Sequence, residues 1–259
     1  MAATKSYISA CGMVTANDIE RTHEQLDAKA QDKAVYGVQV SAATLLGELN
    51  QRGPQWYPRG PERLAMLCRS VRQKNLGRLA IHVNTKTTDR DSVEALVRLV
   101  ELVADGNADL LQLNNLDWLQ TDWSGLIRTI QRCGAAVILQ ANTAACQVDP
   151  NNFARALQMQ NPDYVLLDTS GGKGEPFDAA LYAHLIERVQ AMTEVAVGIA
   201  GGLGPNELHN LAWLTERFDD LSCDAETKLR SDYDARAPSR SRYDPLTAAR
   251  YIAQASELL

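Results

Sequence analysis

Pro162-Asp163-Tyr164-Val165-Leu166-Leu167-Asp168-Thr169-Ser170-Gly171-Gly172-Lys173-Gly174-Glu175-Pro176-Phe177-Asp178, then a helical segment, then Val195-Ala196-Val197-Gly198-Ile199-Ala200-Gly201-Gly202, is the stretch that decides the fold. Residues 164–167 make a short apolar run of β type ending on a carboxylate. The glycines after it leave backbone N–H groups able to face an anion. Residues 195–200 make a second such run, which ends on Gly201-Gly202 and leads into a helix expected to open around Pro205, Asn206 and Glu207. The first N–H groups of that helix can also receive a phosphate. Two successive strand ends thus aim donors at one ligand, with a carboxylate beside them.

The chain has 259 residues and a formal charge of −6. That length is ordinary for one α/β barrel and long enough to bury a large core. No cluster of Lys and Arg with interleaved aromatics is present, which argues against nucleic acid as a partner. The five cysteines, Cys11, Cys68, Cys133, Cys146 and Cys223, are an odd number without a close pair, so reduced thiols are expected rather than a disulfide framework or a zinc ribbon. No apolar run approaches the ~18 residues needed to span a bilayer, and no basic, then apolar, leader opens the chain. The expectation is a soluble cytoplasmic protein with neither membrane nor nucleic-acid partners.

Outward from the opening stretch, the same beat repeats. Strands are expected at 5–14, 34–40, 78–84, 109–113, 135–140, 164–167, 195–200 and 221–225. Helices are expected at 18–29, 61–73, 91–104, 123–133, 150–159, after Phe177-Asp178, at 208–218 and at 245–258. Eight strand-then-helix units predict a single (β/α)8 TIM barrel over 1–259 rather than an open doubly wound sheet. It carries an extended loop after strand two (41–60) and a charged loop after strand eight (227–244). In such barrels the site lies at the C-terminal strand ends. That rule gathers Cys11, the 56–59 loop, Asn84, Asn114, Gln140, Asn142, Asp168, Gly171, Gly172, Lys173, Gly174, Gly201, Gly202, Asp224 and Glu226 at one mouth.

A thiol at the end of strand one and a carboxyl at the end of strand six suit an isomerisation in which one group gives a proton and the other takes one. Cys11 as the base needs help, because a thiol with a reference pKa of ~8.5 is mostly protonated at neutral pH. The plainer readings are a small buried side chain for Cys11, a backbone cap for Asp168, and turn glycines with positive φ in the two loops. Lys173 either pairs with an anion or is solvated. Schiff-base chemistry finds its lysines, Lys86, Lys173 and Lys228, on loops rather than desolvated at a strand end. The four histidines show no metal-ligand spacing, and His82 within strand three reads as a core residue; Asp224 and Glu226 are thin grounds for a hard cation.

Cys11-Gly12 before a helix, Leu166-Leu167-Asp168-Thr169, Gly171-Gly172-Lys173-Gly174 with Phe177-Asp178, and Ala200-Gly201-Gly202-Leu203-Gly204-Pro205-Asn206 together resemble phosphoribosylanthranilate isomerase. The resemblance runs from strand one to strand seven. It implies Cys11 as general base and Asp168 as general acid of an Amadori rearrangement, a phosphorylated substrate, and neither metal nor organic cofactor. It also implies a role in tryptophan biosynthesis. Gln112-Leu113-Asn114 stands where the family has Gln-Leu-His, Ser9 where it has lysine, and Ala179 where it has tryptophan. The eighth strand end, 222–228, replaces a Ser-Ser-Gly-Val-Glu type of turn and puts Asp224 near the phosphate, where its charge is unfavourable unless Lys228, Arg230 or Lys173 offsets it. Arg52 and Arg59 are the candidates to hold a substrate carboxylate. The leading expectation is an isomerase of this kind acting on a phosphorylated aminoaldose. The alternative is a phosphate-ligand-binding barrel without isomerase activity.

Overall fold

The computed structural model describes residues 6–48, 55–85, 89–171, 174–231 and 241–259. Eight parallel strands close into a barrel in sequence order: β1 Ile8–Cys11, β2 Ala34–Ser41, β3 Arg78–Asn84, β4 Leu110–Asn114, β5 Ala136–Ala141, β6 Tyr164–Leu167, β7 Ala196–Ile199 and β8 Ser222–Ala225. Helices cover the outside: α1 Ala16–His23, α2 Ala28–Lys33, α3 Ala42–Leu45, α4 Gly60–Gln73, α5 Arg90–Ala104, α6 Ser124–Arg132, α7 Thr143–Cys146, α8 Pro150–Gln160, α9 Ala179–Met192, α10 His209–Thr215 and α11 Pro245–Leu258. The expected TIM barrel is the observed one.

Strand side chains alternate between two cores, as a closed sheet requires. Ile8, Ala10, Tyr36, Val38, Ile81, Val83, Leu111, Leu113, Val137, Leu139, Val165, Leu167, Val197 and Ile199 pack outward beneath the helices. Tyr7, Val35, Ala80, Leu110, Ile138, Tyr164 and Leu166 fill the bottom of the barrel, with Tyr7 and Tyr164 edge to face at 5.0 Å. Register is pinned at that end by side chains on the strand starts. Asp109 accepts the Leu79 N–H at 2.8 Å, Asp163 accepts that of Val137 at 2.8 Å, and the Ser222 hydroxyl accepts that of Tyr7 at 3.0 Å.

Helix entries follow their capping residues. Thr15 and Asp18 form a capping box on α1, and Asp89, Asp149, Asp178 and Asp244 cap α5, α8, α9 and α11. Four expectations need correction. The helix expected at 18–29 is two helices, because the chain turns after His23 and Asp27 caps a fresh start. The first strand is shorter than 5–14, since Gly12, at φ +100°, turns the chain out of the sheet. The helix after β7 begins only at His209 and spans seven residues, so the N–H groups of 205–207 belong to turns and offer no helix terminus to a phosphate. The charged loop expected at 227–244 contains paired strands: β9 (Arg230–Ser231) pairs antiparallel with β10 (Arg242–Tyr243), and 232–240 lie outside the described residues.

Candidate functional site

Above the apolar floor the barrel interior turns polar. Ser9 and Cys11 on β1, Gln39 and Ser41 on β2, His82 and Asn84 on β3, Gln112 and Asn114 on β4, Gln140 on β5 and Asp224 on β8 occupy alternate, inward positions, and all of them are buried or partly buried. Some satisfy one another. Gln112 donates to Asn114 Oδ1 and Asn114 to Asn84 Oδ1, each at 2.9 Å, while Thr85 Oγ1 donates to the Asn114 carbonyl at 2.7 Å. Others do not: Tyr7 Oη, Ser9 Oγ, Gln39 Oε1, His82 Nε2, Asn84 Nδ2 and Asp224 Oδ1 are buried without a protein partner. So many orphaned polar atoms in one barrel interior call for bound water or a polar ligand.

Cys11 closes β1 opposite Gly37 of β2. It is fully buried, and its Sγ lies 3.4 Å from His82 Nδ1, one strand further on. The contact reaches across β2 only because Gly37 lacks a side chain: a Cβ there would stand 2.8 Å from Cys11 Cβ and 2.9 Å from His82 Nε2. Burial pushes the Cys11 thiol well above its ordinary range; Glu226 and Asp224 add to the effect, and Arg230 opposes it. Burial alone lowers His82 to about 3. At neutral pH the pair is therefore a thiol and a neutral imidazole. The core reading of His82 is right about burial and misses the thiol beside it.

Asp168 follows β6 directly, its N–H bonded to the Ala141 carbonyl at 2.9 Å. One carboxyl oxygen accepts from Gln140 Nε2 at 2.7 Å, the other from Ser170 N at 3.0 Å and Ser170 Oγ at 2.7 Å. Asp168, Ser170, Gly174, Gly201, Gly202, Asp224, Glu226 and Thr227 line one cleft. Asp224 is 8% exposed. Burial raises its carboxyl well above the carboxylate range, Glu226 and Asp168 raise it further, and Ser9 opposes, although the Ser9 hydroxyl reaches no hydrogen-bond geometry. The sequence sets Asp224 as a negative charge beside a phosphate; in the structure burial disfavours that charge.

The described loop glycines, Gly171, Gly174, Gly201 and Gly202, all have positive φ, which bears out their reading as turn glycines. The space a Cβ on Gly202 would take is filled by the carbonyl oxygens of Gly174 and Glu175, at 2.6 and 2.8 Å. The two loops thus pack backbone to backbone. Lys228 runs along them, its Cε 3.9 Å from a Cβ position on Gly174 and its Nζ 3.7 Å from Glu207 Oε1. Gly172, Lys173, Lys86 and Arg52 lie outside the described residues. Asn142 caps α7. Arg59 is exposed at the start of α4, with no side-chain cap bond, and no described contact brings it to the cleft.

Arg230, which the sequence offers only as one of three cations to offset Asp224, has a larger part in the structure. Its Nη2 donates to the Gly12 carbonyl at 3.0 Å and its Nη1 to that of Gln55 at 3.1 Å, while its guanidinium stacks 3.4 Å from the Trp56 ring centroid. Loops after β1, β2 and β8 are joined through this one side chain. Nothing in its sequence neighbourhood signals that, whereas His82 and Asp224 had a readable signal. Strands buried on both faces are usually continuous apolar runs, so polar residues at alternate positions of such runs mark an interior that is not simply packed.

Among the described residues no three His, Cys, Asp or Glu side chains converge as metal ligands. No helix there is long and apolar enough to cross a membrane. No family model matches the chain, and no curated protein does. Solved structures match its fold. Phosphoribosyl anthranilate isomerase from Thermococcus kodakaraensis superposes with TM-score 0.54 at 15% identity, covering 96% of this chain and 97% of that one. The tryptophan synthase alpha chain from Legionella pneumophila subsp. pneumophila gives TM-score 0.58 at 15% identity over 98% and 91%. The YdjI aldolase from Escherichia coli K12 gives 0.53 at 9% over 98% and 89%. Likeness at these identities establishes the barrel and nothing finer.

Proposed function

We propose that this TIM barrel is an aldose–ketose isomerase that carries out an Amadori-type rearrangement of a phosphorylated aminoaldose, in the manner of phosphoribosylanthranilate isomerase. The observation that supports it best is a thiol and a carboxyl at the ends of β1 and β6, with the buried Asp224 carboxyl an electrostatic neighbour of both. Asp168 delivers a proton to the ring oxygen of the sugar. The ring opens to an iminium, which the carboxylates of the cleft stabilise, and Cys11 takes the neighbouring C–H proton. The phosphate rests at the outer edge, against Gly174, Gly202, Thr227 and Lys228, with Gly171, Gly201 and Lys173 in the same loops. The place in tryptophan biosynthesis rests on the sequence resemblance.

Turnover of phosphoribosylanthranilate, followed as loss of anthranilate fluorescence, tests the reading. Cys11→Ala and Asp168→Asn are each expected to lower kcat by ~10²–10⁴. A wild-type rate no greater than that of either variant overturns it. The full burial of Cys11 favours a second reading, a phosphate-ligand-binding barrel without isomerase activity, for which ligand binding survives both substitutions and no aminoaldose turns over.

A further inference from the structure

The isomerase reading leaves Cys11 with a difficulty. A base must be ionised, yet this thiol is sealed from solvent and faces Asp224 and Glu226 across from β8, with Tyr243 also near it and Arg230 opposing their charge. The group in direct contact is His82, whose Nδ1 stands 3.4 Å from Sγ. Its other nitrogen, Nε2, is buried with no protein partner, and so is Gln39 Oε1 at the paired position of β2. The glycine between the strands is the only residue type that lets the two side chains meet, since any Cβ at 37 would collide with both.

We infer that His82 is a positioning residue for Cys11, the acceptor that takes the thiol proton so that the pair reacts as thiolate and imidazolium. This rests on the isomerase reading and adds to it a residue that carries no part of the family resemblance. The protons balance. First the Sγ–H bond breaks and an Nδ1–H bond forms. Asp168 then protonates the sugar ring oxygen, the C–O bond breaks, and the iminium forms. The thiolate takes the adjacent C–H proton, giving the enolamine and restoring Sγ–H. In the return half, Cys11 gives this proton to the former aldehyde carbon and regains one from His82. Asp168 takes the enol hydroxyl proton as the ketone forms. Every group ends in its starting state, with no oxidant or co-reactant.

Two measurements on the full chain test it. Thiolate absorbance, taken as the difference from Cys11→Ser, follows Cys11 ionisation with pH whether or not any substrate turns over. His82→Leu is expected to move that titration upward by one pH unit or more, and Gly37→Ala, which drives the pair apart, to move it the same way. Superimposable titrations of the wild type and His82→Leu overturn the inference. His82→Asn fills the site with a group that hydrogen-bonds but takes no proton. It is expected to cut kcat on phosphoribosylanthranilate by ~10² with KM nearly unchanged, and an unchanged kcat also overturns the inference. The two claims fail separately: turnover without a titration shift sinks the pairing alone, and a titration shift without turnover sinks the isomerase reading alone.

Discussion

Asp224 and His82 are opposite cases of one physical effect. Burial disfavours the charged form of each, so the acid rises and the base falls. Their contributions to stability therefore run in opposite directions with pH. For Asp224 the folded pKa lies above the unfolded value of ~3.9, so stability is fullest below that value. It declines as pH rises, by about 1.4 kcal/mol per unit, until the folded pKa is passed. For His82 the folded value of about 3 lies below the unfolded ~6.5, so stability is complete above 6.5 and is lost on acidification at about the same slope. Asp224→Asn, which keeps the shape and cannot ionise, should therefore gain in Tm relative to the wild type as pH rises from 4 toward neutral. Thermal unfolding across that range checks it. A Tm difference that stays constant between acid and neutral pH would show that the carboxyl is ionised in the folded protein.

The loops after β6 and β7 meet backbone to backbone at Gly202, and that makes Gly202 a sharp test of their packing. Alanine at 202, where φ is +61°, would place Cβ 2.6 Å from the Gly174 carbonyl and 2.8 Å from that of Glu175. Alanine at 171, where φ is +56°, meets nothing within 4 Å. Left-handed strain of ~1–2 kcal/mol is common to both, while the clash adds ~1–3 kcal/mol at 202 alone. Gly202→Ala should thus be the more destabilising by at least ~1 kcal/mol in chemical denaturation; equal losses would show that the loops do not bear on each other. These same loops explain what the sequence made legible. The apolar runs at 78–84 and 164–167 located β3 and β6 to the residue, and the strand-end rule brought Asp168, Gly174, Gly201, Gly202 and Glu226 to one cleft. Whether the glycines offer N–H or carbonyl groups was not legible, because that depends on how two loops far apart in the chain settle against each other. Nor was the Cys11–His82 contact, which depends on the barrel's curvature and on a missing Cβ one strand away.

Across the whole molecule, Arg230 ties together strand ends that are far apart in the chain. A guanidinium only 6% exposed, stacked on Trp56 and bonded to the carbonyls of Gly12 and Gln55, joins the first, second and eighth strand ends while supplying positive charge beside Cys11. Its two roles are separable. A desolvated cation–π contact is worth about 2 kcal/mol and hydrogen bonds to a charged donor ~1.5–3 kcal/mol. Arg230→Ala should therefore lose roughly 2–4 kcal/mol in urea denaturation and also move Cys11 ionisation to higher pH. Arg230→Lys keeps the charge but not the planar fork that reaches two carbonyls while lying flat on an indole. It should leave most of the stability unrecovered while returning the Cys11 titration toward that of the wild type. If lysine instead restores stability in full, the loops are held by charge alone and the stacking geometry is incidental. If the alanine variant leaves the Cys11 titration unmoved, the arginine closes the mouth without tuning the thiol inside it.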